Sequence, residues 1–263
     1  MRVLFYGNCQ MGRLAECFGQ IVNFHADCDV AFSYVDSATV EAEAAVSQFG
    51  PDKTIFQVTR QQPLAPAGLN ALRVPALFHR PLWPFYDHDE RIIPGVITPI
   101  SAGDALATRL MKECADPREA FDRYKAFEFH GDYDLDRLWE RHQYRYRHLD
   151  SLSDVQVGEW MDAEIRQRQL FNMFWHPSPE TYSYVAGPVC DYLGLAPHHS
   201  EIAQAIVRVT ESQLPEIPVH PTVAAYYGIE WAPPHRTYED KLGHLDFDGW
   251  LMRHLTYRPS QAA

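Results

Sequence analysis

The chain opens on an apolar run, Val3-Leu4-Phe5-Tyr6, that breaks at Gly7-Asn8-Cys9-Gln10. Beyond the break Met11, Leu14, Ala15, Phe18, Ile21 and Val22 recur at three- and four-residue spacing, while Arg13, Glu16 and Gln20 fall off that stripe, so the pattern predicts strand, sharp turn and amphipathic helix. A second strand is predicted at Asp29 to Val35. A helix is predicted from Thr39 to Phe49, where Val40, Ala44 and Ala45 share a face and Gly50-Pro51 ends it. Lys53 to Val58 reads as a third strand, and Val74 to His79 as a fourth that its proline weakens. Strand and helix alternating in this way imply an α/β fold with a mostly parallel sheet and helices on both faces. Ligands in such folds bind beyond the carboxyl ends of the strands, where Gly7 to Gln10, Gln57 to Arg60 and His79-Arg80 are expected to gather.

The pattern changes after residue 100. Residues 101–165 are dense in charge and aromatics with few turn signals, which predicts a helical insertion between an N-terminal α/β half at 1–100 and a C-terminal part at 166–263. Within it, Arg141 to His148 interleaves Arg and Tyr as a solvated, aromatic-rich helix does. His142 and His148 are too far apart for a helical pair of metal ligands, and no metal site is expected. An apolar segment, Leu170 to Trp175, carries His176 into a proline-started helix from Glu180 to Leu193 that Gly194 terminates. Pro177 disfavours helical geometry at His176 and holds its imidazole at a strand or loop end, a setting that suits a general base.

Composition narrows the function classes. The 263 residues carry a formal net charge of −12, which disfavours nucleic acid and anionic lipid as partners because those contacts need a Lys/Arg surplus. Five irregularly spaced cysteines do not make a disulfide framework, and the chain enters its first strand without a charged-then-apolar leader, so a reducing cytoplasm is the expected compartment. No apolar run approaches the ~20 residues that span a bilayer. The oligomeric state is not legible.

Cys9 sits where the free N–H groups of a helix start would favour a thiolate, as a nucleophile or beside an anion. The alternative is a small buried hydrophobe, which is how Cys17, Cys28, Cys114 and Cys190 read. His220-Pro221, among further prolines, reads as a rigid loop.

Gly7-Asn8-Cys9-Gln10 after the first strand, Gln57 ending a later one, and Gln169-Leu170-Phe171 leading into His176-Pro177-Ser178 together resemble the WcbI family of capsular-polysaccharide biosynthesis enzymes, over residues 1 to about 195. The resemblance implies a three-layer α/β/α fold of Rossmann-like or SGNH-like type with helical additions. It also implies coenzyme A binding and transfer of acetyl from acetyl-coenzyme A to a sugar hydroxyl of a surface polysaccharide. On that basis Cys9 and His176 are the expected catalytic pair, with Asn8 or Gln57 and backbone N–H groups at a developing oxyanion. His176 would deprotonate either the thiol or the acceptor hydroxyl. Gly7, Gln10, Arg13, Arg60, His79, Arg80 and Arg168 are the expected coenzyme A contacts, the guanidinium forks matching its phosphates. Trp175 stands where the family usually has an asparagine; His220-Pro221, Pro233-Pro234-His235 and Asp246-Phe247-Asp248-Gly249-Trp250 have no counterpart there, and residues 200–263 read either as a cap over the acceptor site or as ordinary packing.

Two other classes compete: an SGNH-like ester hydrolase with Cys9 in the serine position, and a non-catalytic sugar- or nucleotide-binding protein. A dinucleotide dehydrogenase fits poorly, because Gly7 to Gly12 supplies only the first and last glycine of the phosphate-binding fingerprint.

Overall fold

The computed structural model describes residues 1–22, 30–92, 98–211, 215–240 and 243–259. In chain order the N-terminal elements are β1 (Arg2–Gly7), α1 (Cys9–Val22), β2 (Ala31–Asp36), α2 (Ala42–Phe49), β3 (Lys53–Val58) and β4 (Ala71–Pro75). There follow the short strands β5 (Tyr86–Asp87) and β6 (Gly103–Asp104), then α3 (Ala105–Glu113), α4 (Pro117–Lys125), α5 (Leu135–Leu152) and α6 (Gly158–Glu164). The last third holds β7 (Phe171–Met173), β8 (His176–Pro177), α7 (Pro179–Leu193), α8 (His199–Glu211), α9 (Pro221–Tyr227), β9 (Tyr238–Asp240), β10 (Gly243–Leu245) and α10 (Phe247–Thr256).

Two compact units share these elements. The first comprises Met1–Phe78, Gln143–Glu164 and His176–Gln213; its centre is an all-parallel sheet in the order β2-β1-β3-β4. Moving from β1 to β2 and then back over β1 to β3 reverses direction. Right-handed crossovers therefore put α1 and α2 on opposite faces, giving three α/β/α layers. The reversal also makes the carboxyl ends of β1 and β3 a topological switch point, the place where open α/β sheets bind ligands. Met11, Leu14, Ala15 and Phe18 are buried as the helical stripe requires, and α1 packs on β2 and α8. Phe5 and Phe18 meet at 5.6 Å and Tyr6 stacks on Phe56 at 5.4 Å, each such ring contributing about 1.5–3 kcal/mol of burial.

Three element boundaries differ from the sequence pattern. The second strand is described from Ala31 and runs to Asp36; the expected start at Asp29, like Cys28, lies outside the described residues. The second helix begins at Ala42, because Thr39 turns back on Asp36 with its N–H and hydroxyl both donating to the Asp36 carbonyl, at 3.0 and 2.9 Å. The fourth strand ends at Pro75 rather than running to His79. Side chains claim the backbone that would extend it: Gln10 holds both peptide groups of Leu77, and the Tyr146 hydroxyl accepts from the Phe78 N–H at 2.8 Å. The helix after His176 is found at Pro179–Leu193, closed by Gly194 at φ 77°.

The second unit, His79–His142, Ile165–Trp175 and Leu214–Ala263, is built on aromatics, with α10 packing on α3 and α4. Asp246 caps α10 by accepting from the Gly249 N–H at 2.8 Å, which accounts for the Asp246-Phe247-Asp248-Gly249-Trp250 motif in the tail. His220 is buried among Phe129, Tyr124 and Phe247, and its Nδ1 accepts from the Thr222 N–H at 3.1 Å, capping α9. Among the described residues no helix is long and apolar enough to cross a membrane.

Candidate functional site

The turn between β1 and α1 lies at the switch point. Gly7 is required there by space: a Cβ would come within 2.5 Å of Met11 Cγ and 2.6 Å of Gln57 Cβ. That close approach lets β3 reach across. Gln57 Oε1 accepts from the Asn8 N–H at 2.9 Å, and Gln57 Nε2 donates to Gln10 Oε1 at 2.8 Å. Asn8 folds over the helix start, its Oδ1 accepting from the Gln10 N–H at 2.9 Å and its carbonyl from the Met11 N–H at 2.9 Å. Both glutamines are almost fully buried. Of the expected oxyanion donors, the Gln57 amide is therefore committed to the turn, while the Asn8 side-chain NH2 stays at a half-buried surface.

Cys9 is exposed at the first position of α1. Its thiol differs from the expectation of a lowered pKa. Desolvation by the packing on its inner side pushes it up, and the Asp36 carboxylate adds to this; Arg13 and the N–H groups of Cys9 and Gln10 pull the other way without winning. Arg13 itself pairs with Glu16 at 3.0 Å. Cys17 and Cys190 are buried with thiols pushed up to about 12, as inert cysteines are.

Two tyrosines flank Cys9 that the pattern of the chain did not single out. Tyr34 has its pKa pushed up to about 12 by burial, Asp36 and the Cys9 sulfur, and its ring lies against Gly12. Tyr182 on α7 is raised by burial first and by Cys9 second. A signal for Tyr34 and Asp36 existed: in parallel register Tyr34 stands beside Phe5 and Asp36 beside Gly7, at the same sheet end as the turn. His176 opens β8, six residues before Tyr182 in the same unit, with its Nδ1 buried.

Thus Asn8, Gln10 and Gln57 form one hydrogen-bonded knot, with Gly7 and Cys9 on the same turn and Arg13 one turn along α1. Arg60 is exposed just beyond β3. His79, Arg80 and Arg168 belong to the second unit. His79 has no exposed edge to offer a ligand: its ring packs on His142 at 4.3 Å, Trp139 at 5.6 Å and Phe171 at 5.9 Å, and burial, then His142, hold its pKa well below the usual range. Arg80 donates to the Tyr86 carbonyl at 2.7 Å and lies 5.3 Å over the Phe174 ring, while Arg168 is exposed.

Fold and turn together define an α/β/α protein with a strand-turn-helix seam at its topological switch point. Residues 2–198 match the family model for the polysaccharide biosynthesis enzyme WcbI, and the chain belongs to that family. A solved structure of WcbI, described as a polysaccharide biosynthesis enzyme in its native form without a disulfide bond between coenzyme A and one of its cysteines, superposes with a TM-score of 0.63. It is 16% identical, with 97% of this chain and 88% of that one covered, and so bears on the fold alone. No curated protein matches the sequence.

Proposed function

We propose that this protein transfers an acetyl group from acetyl-coenzyme A to a sugar hydroxyl in polysaccharide biosynthesis, with the Gly7–Gln10 turn as its reacting centre. The observation that carries the reading is the preorganised knot in which Gln57 and Gln10 fix Asn8 and leave Cys9 exposed at the helix start. Family membership supports the polysaccharide setting. The WcbI structure is described as lacking a disulfide bond between coenzyme A and one of its cysteines; that the two are named together supports a coenzyme A thiol meeting a cysteine such as Cys9.

In this reading the N–H of Cys9 and the Asn8 side-chain amide donate to the carbonyl oxygen as it gains charge. His176 takes the proton. With the Cys9 thiol held above its ordinary pKa, attack on the thioester needs that base, and the step then breaks the acyl–sulfur bond, releases coenzyme A as its thiolate and leaves acetyl on Sγ. Transfer straight to the sugar oxygen, with His176 accepting the hydroxyl proton, uses the same groups. Arg13 and Arg60 stand on the same unit as phosphate partners.

Calorimetry with coenzyme A and mass spectrometry after incubation with acetyl-coenzyme A test the reading. Binding is expected, with a gain of about 42 Da confined to Cys9 for the covalent route and none for direct transfer. A protein that binds no coenzyme A, or that turns over acyl esters without it, overturns the proposal in favour of a hydrolase.

A further inference from the structure

A second concave site lies in the first unit, on α5, α6 and α7, and none of the expected site residues lines it. It is a groove of about 560 Å³ between the second half of α5, the loop that closes onto α6, and Tyr184 of α7. Its aromatic wall is a stacked pair, Trp160 and Tyr184, with centroids 4.0 Å apart and planes 9° from parallel. Tyr184 is 37% exposed, and its hydroxyl donates to the Gln156 carbonyl at 3.1 Å. Carboxylates and amides complete the lining. Asp150 accepts from the N–H groups of Val157 and Gly158 at 3.1 and 2.8 Å, and Asp162 accepts from Gln143 Nε2 at 2.8 Å. Gly158 keeps the wall open, since a Cβ there would meet Asp150 Oδ2 at 2.8 Å.

The lining decides the class of ligand. Asp150, Glu159 and Asp162 outnumber Arg147, the one cation among the described residues that line the groove, so phosphate groups are disfavoured. The polar rim does not suit a hydrocarbon. What fits a groove lined by both an aromatic pair and hydrogen-bond acceptors is a ligand that offers a C–H face and hydroxyl donors together. We infer that the Trp160–Tyr184 groove binds a short, uncharged saccharide. The inference stands on the groove's own chemistry and not on the acyl-transfer reading. The groove is anchored to the strand end that the turn also grips, because the Tyr146 hydroxyl bonds the backbone of Phe78 while Gln10 bonds that of Leu77.

The test is saturation-transfer NMR and tryptophan fluorescence on the full chain, with maltose, lactose and methyl α-mannoside as probes. At least one is expected to bind at millimolar concentration, with transfer strongest to its ring C–H protons. Trp160→Ala is expected to weaken binding about tenfold. Asp162→Asn, which keeps an acceptor for Gln143, is expected to weaken it about threefold without disturbing the fold. No transfer to any of the three sugars overturns the inference, as does binding unchanged in both variants. Coenzyme A titrated into the same samples separates the two readings: coenzyme A binding without sugar binding overturns this inference alone, and the reverse overturns only the acyl-transfer proposal.

Discussion

Gln10 grips Leu77 at both of its peptide groups: Oε1 accepts from the Leu77 N–H at 3.0 Å and Nε2 donates to the Leu77 carbonyl at 2.6 Å. The same Oε1 accepts from Gln57, so one buried carboxamide joins α1, β3 and the chain leaving β4. It takes over the backbone of Leu77 where pairing with β3 ends, one residue after the Ala76 N–H donates to the Val58 carbonyl at 2.9 Å, and it holds the turn on which Cys9 stands.

Gln10→Ala is therefore expected to orphan the Leu77 N–H, the Leu77 carbonyl and Gln57 Nε2 together, at about 1–3 kcal/mol for each buried group left unpaired. Urea denaturation should show a loss of at least ~3 kcal/mol. A loss below ~1 kcal/mol would mean that water or a neighbouring side chain takes over these bonds.

The electrostatics of Cys9 predict how it reacts. Its thiol is raised by burial and by Asp36 and is partly relieved by Arg13, so alkylation by iodoacetamide, followed at Cys9 by peptide mass spectrometry, should be slow at neutral pH and rise toward alkaline pH. Asp36→Asn is expected to move the midpoint of that rise to lower pH, and Arg13→Gln to higher pH. If both variants match the parent, the charges do not reach the sulfur and burial alone sets its reactivity.

Gly7 makes a sterically stricter prediction. A methyl group at Gly7 collides with Met11 and Gln57, whereas one at Gly12 meets only the Tyr34 ring at 3.1 Å. Gly7→Ala should lower the denaturation midpoint well beyond Gly12→Ala and should release Gln57 from Asn8. Equal effects would show that the β1–α1 turn yields without disturbing β3.

Much of the first unit was legible because its information is local. The stripe Met11, Leu14, Ala15 and Phe18 repeats at the helical period and is buried, and the run Lys53 to Val58 is buried continuously from Thr54 on, as a central strand covered on both faces is. The fourth strand was misplaced because what stops it is not local: Gln10 and Tyr146, some 67 to 70 residues away in sequence, satisfy its backbone. Gln57 stood out by its place at a strand end, but nothing along the chain told that its amide faces inward to Gln10. His79 looked like a strand-end ligand, yet it pairs with His142, a residue weighed only against His148 as a metal ligand. Contacts between distant segments carry no period, so no pattern along the chain announces them.

Arg91 and Asp89 test how a buried ion pair behaves in the second unit. Arg91 Nη2 lies 2.6 Å from Asp89 Oδ2 and also donates to the carbonyls of His254 and Tyr257 through Nη1, at 3.0 and 3.1 Å. Burial works against ionised Asp89, but the hydrogen bonds and charge of Arg91 outweigh it and hold the carboxyl below its ordinary range. Arg91→Ala leaves that carboxylate buried without its guanidinium, with the residue-91 backbone N–H at 2.9 Å and His254 Nε2 at 3.6 Å beside it, at a cost of about 3–5 kcal/mol. Removing both charges as Asp89→Asn with Arg91→Met should cost clearly less than Arg91→Ala alone, read from urea midpoints at pH ~7.

Buried titrating groups give the second unit opposing pH dependences. Asp104 caps α3, accepts from the Tyr124 hydroxyl at 2.6 Å, and is pushed by burial up to about 7. Between its ordinary value of 3.8 and about 7 the folded carboxyl keeps a proton that the unfolded chain has released, so this group weakens the fold as pH rises through that window. His220 and His254 are held down to about 4 by burial. The unfolded chain binds protons there that the fold does not, so these two strengthen the fold as pH rises from about 4 to 6.5. Asp104→Asn removes only the first contribution and keeps a cap acceptor for the Ala107 N–H. Urea midpoints of parent and variant, taken from pH ~4 to ~8, should diverge, the parent losing ground to the variant as pH rises. Parallel curves would mean that the Asp104 carboxyl titrates as it does in the unfolded chain, and that the bonds from Ala107 and Tyr124 offset its burial.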